Sequence, residues 1–248
     1  MRCAAALSDE RGDPARLRAI ANACRSAGLG FRVSGLGPSR ARWLAEHEAK
    51  ALLREAGARV VEGRLVRGEI EAVEAFDSLG GGAVVLKLSS PAIQHKSELG
   101  AIELDLRSQH EVRQAYRRLS ELSIDGGGML VERMAPPGVE VIVAARRDGI
   151  VPALIVGLGG IWTELLDDVA IVPLPARRPR VERALLSLRG ASLLSGGRGT
   201  AAADLGALAK LAAQVGELLL DSGLELLELN PVLAGEWGAV AVDATARR

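Results

Sequence analysis

Apolar positions along the chain change spacing from segment to segment, and the spacing predicts the elements. "DPARLRAIANACRSAGL", from Asp13, repeats its apolar residues at helical intervals behind an Asp-Pro start, and the Gly/Ser/Pro stretch "VSGLGPSR" that follows reads as a linker. Residues 1–40 are thus expected to form a helical extension. From Ala41 helical and strand patterns alternate. The helix "RWLAEHEAKALLREAG" closes at Gly57, followed by a short strand "ARVVEGRLV", a helix "EIEAVEAFDSLG" and the apolar strand "AVVLKLSS". A strand "GAIELDL" precedes a helix from Ser108, which Glu111 is placed to cap three residues on. The strands "GMLVERM", "GVEVIVAARR" and "VPALIVGL" follow. Beyond the glycines at 157–160 come "AIVPLP", a helix, the Gly-rich "SGGRGT", the long helix "AAADLGALAKLAAQVGELLLDSG", and two closing strands, "LELLELN" and "GAVAVDA". This order predicts an α/β (α+β) fold.

Composition narrows the class. Lys+Arg and Asp+Glu balance at 31 each, so a polyanion footprint is not indicated, and aromatic residues at 2% leave few platforms for stacking bases. No nucleic-acid partner is expected. Cys3 and Cys24 have no metal-ligand spacing and form no disulfide framework, and no apolar run approaches the roughly 18 residues of a membrane span. A cytoplasmic protein without a membrane partner is the expectation.

Polar residues set inside apolar strands are the candidates for chemistry. Lys87 lies within "AVVLKLSS", where an ammonium is costly to desolvate unless an anion meets it; the alternative is a side chain that snorkels at a sheet edge. Glu140 and Glu132 raise the same question, as acids that a ribose or base could use or that simply face solvent. In "LELLELNPV" strand alternation points Glu228 and Asn230 to one face, and a hairpin to "AVAVDA" would bring Asn230 beside Asp243. Oxygen ligands on adjacent strands suit Mg²⁺, which takes few protein groups; a turn at Asn230-Pro231 and a strand-end Asp243 are the plainer reading. The "GLGGIW" loop lacks the third glycine of a dinucleotide fingerprint and no P-loop occurs, while Arg198 in "SGGRGT" stands among glycines whose exposed amides suit an anion. "SSPAIQHKSELGA" sets His95 and Lys96 on a loop after a strand, where an imidazole nitrogen can accept and release a phosphoryl group.

Taken together, "LAEHEAKALLREAG", "AVVLKLSSPAIQHKSELGAIELDL", "GVEVIVAARRDGIVPALIVGLGGIWTELLDD", "SGGRGTAAADL" and "LELLELNPV", ending in "AVAVDA", occur in an order and spacing that resemble the ATP-grasp β subunit, or β half, of nucleoside-diphosphate-forming acyl-CoA synthetases, relatives of succinyl-CoA synthetase. The resemblance runs from about Leu44 to Ala244. It implies two lobes, residues 41–135 and 136–248, clamping ATP or ADP with Mg²⁺. Lys87 would meet the phosphates, Glu140 the ribose, and the backbone of Glu132, Arg133 and Met134 the adenine. Asn230 and Asp243 would carry Mg²⁺, Glu228 would face the phosphoryl path, Arg198 would neutralise phosphate, and His95 would carry the phosphoryl group. Two departures stand out: Ala101 follows Gly100 where the family usually has a second glycine, and "VPALIV" replaces a stretch that usually contains Phe-Gly. CoA-binding and ligase domains are absent from the 248 residues, so a separate CoA-binding ligase α subunit is the expected partner, in a hetero-oligomer. Two rival readings are another ATP-grasp carboxylate ligase that forms an acyl phosphate directly, and a nucleotide-sensing subunit without catalysis.

Overall fold

The computed structural model describes residues 42–93, 99–122, 127–147, 150–159, 168–196 and 201–248. In chain order the described elements are β1 (Trp43–Leu44), α1 (Glu46–Glu55), β2 (Gly63–Val66), α2 (Glu69–Ser78), β3 (Val84–Ser89), β4 (Ile102–Leu106), α3 (Gln109–Ser120), β5 (Gly128–Arg133), β6 (Val139–Arg146), β7 (Ala153–Leu158), β8 (Val169–Pro173), α4 (Arg178–Leu186), α5 (Ala191–Leu194), α6 (Leu205–Ser222), β9 (Leu226–Gly235), β10 (Gly238–Ala241) and β11 (Ala244–Arg247). They build two antiparallel sheets. One runs β2-β5-β3-β4; the other runs β1-β11-β9-β6-β7-β8, with β10 also on β9.

Each sheet has its own core. Helices α2 and α3 bury Ala72, Ala75 and Phe76, and Val112, Ala115 and Leu119, against Leu86, Leu88 and Val131 of the four-stranded sheet. In α3 the buried positions recur at helical spacing, and the Ser108 hydroxyl caps the helix by accepting from the Glu111 N–H at 3.2 Å. The Glu111 carboxylate reaches past Ser108 to the Arg107 N–H at 2.6 Å, one residue further than the expected capping box. On the larger sheet α6 lays down Leu208, Leu211, Ala212, Val215 and Leu219, a stripe at i, i+3, i+4, i+7 and i+11. Asp204 caps its start, and Gly223 ends it at φ 67, a left-handed conformation that glycine adopts without a Cβ penalty.

Three elements differ from the pattern. Trp43 and Leu44 are not the first turn of a helix: they pair with Arg247 and Ala246 at the sheet edge, and α1 begins at Glu46. The strand expected over 58–66 is short, because Val60 makes only a single parallel bridge to Ala241 and regular pairing starts at Gly63. "GAVAVDA" is divided into β10 and β11 at Val242–Asp243. That break, and one in β9 opposite it, shape the site.

Candidate active site

Strand β9 continues through Asn230-Pro231, a cis peptide, to Gly235. Its fully buried residues are Leu227, Leu229, Val232 and Ala234, so the alternation changes phase between 229 and 232. The cause is a bulge: β6 pairs Val141 with Val232 but Val143 with Leu229, so β9 spends one residue more than β6 over that span. On the other side Ala241 pairs with Val232 and Ala244 with Leu229 without a shift, which sets Asp243 opposite Asn230. The Val242 N–H donates to the Pro231 carbonyl at 3.0 Å. Asn230 is exposed, Glu228 and Asp243 are half-buried, and one Asp243 carboxylate oxygen accepts from the Ala244 N–H at 2.7 Å. Glu140, exposed, pairs with Leu233 three residues along β9, on the order of 10 Å from Asn230. Gly159 donates to the Glu140 carbonyl at 2.7 Å and comes so near that a Cβ there would lie 3.0 Å from Glu140 atoms.

Lys87 belongs to a buried ion cluster. Its ammonium meets Glu46 Oε1 at 2.5 Å, Glu132 Oε2 at 2.8 Å and the Val242 carbonyl at 2.8 Å. Lys50 meets the same three oxygens, at 2.7, 2.8 and 2.6 Å, and Glu132 Oε1 at 2.6 Å. All four side chains are at most 3% exposed. Two carboxylates and two ammoniums therefore balance where an unpaired charge would be costly. Burial works against both ammoniums. At Lys87 it is outweighed by Glu46, Glu132 and Asp243, which raise its pKa above the ordinary lysine range. Lys50 is lowered, by burial first and by the Lys87 charge second, since the second proton of the pair enters beside a charge already present. The cluster ties α1 to the four-stranded sheet: Glu46 and Lys50 stand on α1, whose Ala49 and Leu53 are packed in the larger core, while Lys87 and Glu132 are on β3 and β5.

The structure brings Lys87, Asp243 and Asn230 together around Val242, with Glu228 next along β9. The Glu132 carboxylate is committed to the two lysines, so what that segment offers a ligand is its backbone and the residues after it. Of that backbone, the Arg133 and Met134 N–H groups donate to Glu62 and Ala83 carbonyls at 3.0 and 2.9 Å. A cavity of about 230 Å³ lies against it, lined among others by Val61, Glu62, Met134, Trp237 and Val240. Arg133, also on its wall, is paired with Glu62 at 3.0 Å, and Arg59 lies 5.7 Å from the Trp237 ring centre. His95 and Arg198 lie outside the described residues, as does the second half of the "GLGGIW" loop, from Gly160.

Glu46 and Lys50 escape a reading of single residues, yet a signal is present. The buried positions of α1 are 46, 49, 50 and 53, the spacing of an apolar stripe, and Glu and Lys fill two of them. Ser89, fully buried at the end of β3, accepts from the His47 N–H at 3.1 Å and shares a hydrogen bond with its Nδ1 at 2.9 Å. No sequence pattern marks that pair.

Comparison with known proteins gives this geometry a context. The model of a family described as an ATP-grasp domain matches residues 37–247. The β subunit of ADP-forming acetate–CoA ligase I of Pyrococcus furiosus is 36% identical over 211 residues, covering 82% of this chain and 90% of that one. A trans-feruloyl-CoA synthase from an unknown prokaryotic organism is 34% identical over 96% of this chain, but the match spans only 32% of that larger protein. Among solved structures, the dinucleotide-forming acetyl-coenzyme A synthetase 1 of Ca. Korarchaeum cryptofilum, in complex with coenzyme A, Ca-AMPCP and HgCl⁺, superposes with a TM-score of 0.77 at 32% identity, covering 92% of this chain and 98% of that one. Another structure of that enzyme holds coenzyme A and Mg-AMPPCP, with a phosphohistidine segment pointing towards the nucleotide site (TM-score 0.72, 33% identity, 92% and 98% covered).

Proposed function

Because this chain belongs to the ATP-grasp family, among the β-type components of ADP-forming acyl-CoA ligases, we propose that it is the nucleotide-binding, phosphoryl-transferring component of such a ligase. The overall reaction is acyl-CoA + ADP + phosphate to acid + CoA + ATP, reversible. The single observation that carries the reading is the convergence of Lys87, Asn230 and Asp243 on the break at Val242. A cation next to two oxygen ligands suits a nucleotide phosphate accompanied by Mg²⁺, and the donor set fits that metal: one carboxylate and one amide, with room in an exposed position for phosphate and water.

In this reading Asn230 and Asp243 hold Mg²⁺, Lys87 meets the phosphates, Glu140 the ribose, and the base enters the cavity beside Arg133 and Met134. Bound Mg²⁺ would neutralise phosphate charge and fix the in-line geometry that phosphoryl transfer needs. Arg198 adds a guanidinium for the same charge, Glu228 orients the incoming imidazole, and His95 carries the phosphoryl group: its nitrogen gives up the P–N bond as an ADP β-phosphate oxygen forms the new P–O bond. A separate CoA-binding ligase α subunit supplies the acyl chemistry, and the assembly works in the cytoplasm. Support for a separate partner comes from the 90% coverage of a protein that is itself a β subunit, although fused relatives exist.

The test mixes the purified chain and its α subunit with γ-labelled ATP and looks for acid-labile, alkali-stable phosphate on this chain. Label on His95, lost with turnover in His95→Asn, is expected. Label confined to the partner with His95→Asn turning over normally would contradict the relay through His95, and turnover with no phosphohistidine on either chain would favour direct formation of an acyl phosphate.

A further inference from the structure

Lys50 has no part in the reaction as described so far, yet it occupies the same three oxygens as Lys87: Glu46 Oε1, Glu132 Oε2 and the Val242 carbonyl. The three hydrogen bonds of the Lys50 ammonium go to both Glu132 oxygens and the Val242 carbonyl, and Glu46 Oε1 is met by both ammoniums as an ion pair, so either lysine alone leaves a cation against all three oxygens. With both present, every oxygen is bridged by two cations.

We propose that Lys50 is a positioning residue that lets Lys87 exchange between the protein and the nucleotide phosphates. The inference rests on the reading of Lys87 as the phosphate-binding cation. When Lys87 turns to phosphate it leaves Glu46, Glu132 and the Val242 carbonyl behind. Lys50 already touches all three at 2.6 to 2.8 Å and keeps a positive charge against each without moving from α1. Charge sets how easily Lys87 departs. The pocket it leaves carries two carboxylates and one ammonium, a single negative charge. Without Lys50 the pocket would carry two, buried at 3% exposure or less, and Lys87 would be retained. Lys50 thereby sets the fraction of molecules whose Lys87 is available, and the apparent nucleotide affinity follows that fraction. The location fits this role: Glu46 and Lys50 are fixed on α1 in the larger core, whereas Lys87 belongs to β3 of the other sheet, so the exchange releases one tie between α1 and the four-stranded sheet and leaves the Lys50–Glu132 tie in place.

A structural role alone would make every substitution in the cluster harmful; the exchange predicts a ranking instead. After Lys87 departs, the pocket charge is −1 in the wild type, −2 in Lys50→Met, −1 again in Lys50→Met/Glu46→Gln, and 0 in Glu46→Gln. Calorimetric titration with MgADP, on chains whose folding is confirmed by circular dichroism, should therefore find Lys50→Met weaker by about tenfold or more, the double variant restored to near the wild type, and Glu46→Gln a few-fold tighter. Equal affinity in Lys50→Met, or a double variant no better than Lys50→Met, overturns the proposal. Should Lys50→Met fail to fold, Glu46→Gln decides alone, and binding no tighter than the wild type overturns it. A wild-type chain that does not bind MgADP would fail the nucleotide reading itself, a result distinct from either of these.

Discussion

The two halves of the candidate site are packed in opposite ways. At the foot of α1, Glu46, Lys50, Lys87 and Glu132 are dry and paired charge to charge. Along β6, β9 and β11, Glu140 and Asn230 are exposed while Glu228 and Asp243 are half-buried. In the first half charge is held where desolvation makes each pairing strong and each loss costly; in the second, water can leave when phosphate and a cation arrive. A phosphate-binding lysine kept in a closed cluster and metal-binding oxygens kept at the surface divide the work: one side stores charge, the other receives it. Val242 joins them, its carbonyl on the lysines and its N–H on Pro231.

The largest effect that would sharpen this contrast comes from paired carboxylate deletions. Glu132→Ala strips a partner from both lysines and should cost about 3–5 kcal/mol, whereas Glu140→Ala, at an exposed strand position, should stay within about 0.5 kcal/mol. Urea unfolding midpoints compare the two, and similar losses would erase the distinction. A smaller effect is expected without touching a charge. Gly63 pairs with Glu132 across β2 and β5, and a Cβ there would overlap Glu132 Cγ and stand 2.7 Å from the Val131 carbonyl oxygen. Gly63→Ala should push the Glu132 stem aside and cost about 1–3 kcal/mol in the same measurement; no loss would mean that the cluster tolerates displacement.

Acidification is the mildest probe. Burial holds the His47 imidazole below its ordinary 6.5, with Glu48 opposing and Arg67 reinforcing that shift. The unfolded chain thus binds this proton more readily than the folded one. The contribution of His47 is full above 6.5 and is lost as pH falls through the lowered folded value. The ring is partly solvated, so screening keeps the effect small. Between about pH 7 and pH 5 the wild-type Tm should fall by about 1–2 °C more than that of His47→Asn, by differential scanning calorimetry. Identical falls would remove His47 from the pH response.

How far the sequence carries depends on what sets each feature. Elements with a clean period are read directly: the α6 stripe and the strand around Lys87 lie where the pattern puts them. Trp43–Leu44 is misread as helix because a two-residue edge strand has no period of its own and takes its form from Ala246 and Arg247, some 200 residues later in the chain. Asn230 and Asp243 are legible as neighbours because a hairpin register is local. Glu46 and Lys50 are not legible as partners of Lys87 and Glu132, since 82 residues separate Lys50 from Glu132 and only the packing of α1 between the sheets brings them together.

The central claim, that Asn230 and Asp243 hold a metal against nucleotide phosphates, is tested most directly by calorimetric titration of wild type and Asp243→Asn with ADP in the presence of Mg²⁺ and in the presence of chelator. The wild type should bind more tightly with Mg²⁺, and Asp243→Asn should lose that gain while keeping most of its metal-free affinity, by tenfold or so in the Mg²⁺ arm alone. Equal losses in both arms would make Asp243 a structural residue of the β10–β11 break and contradict the account.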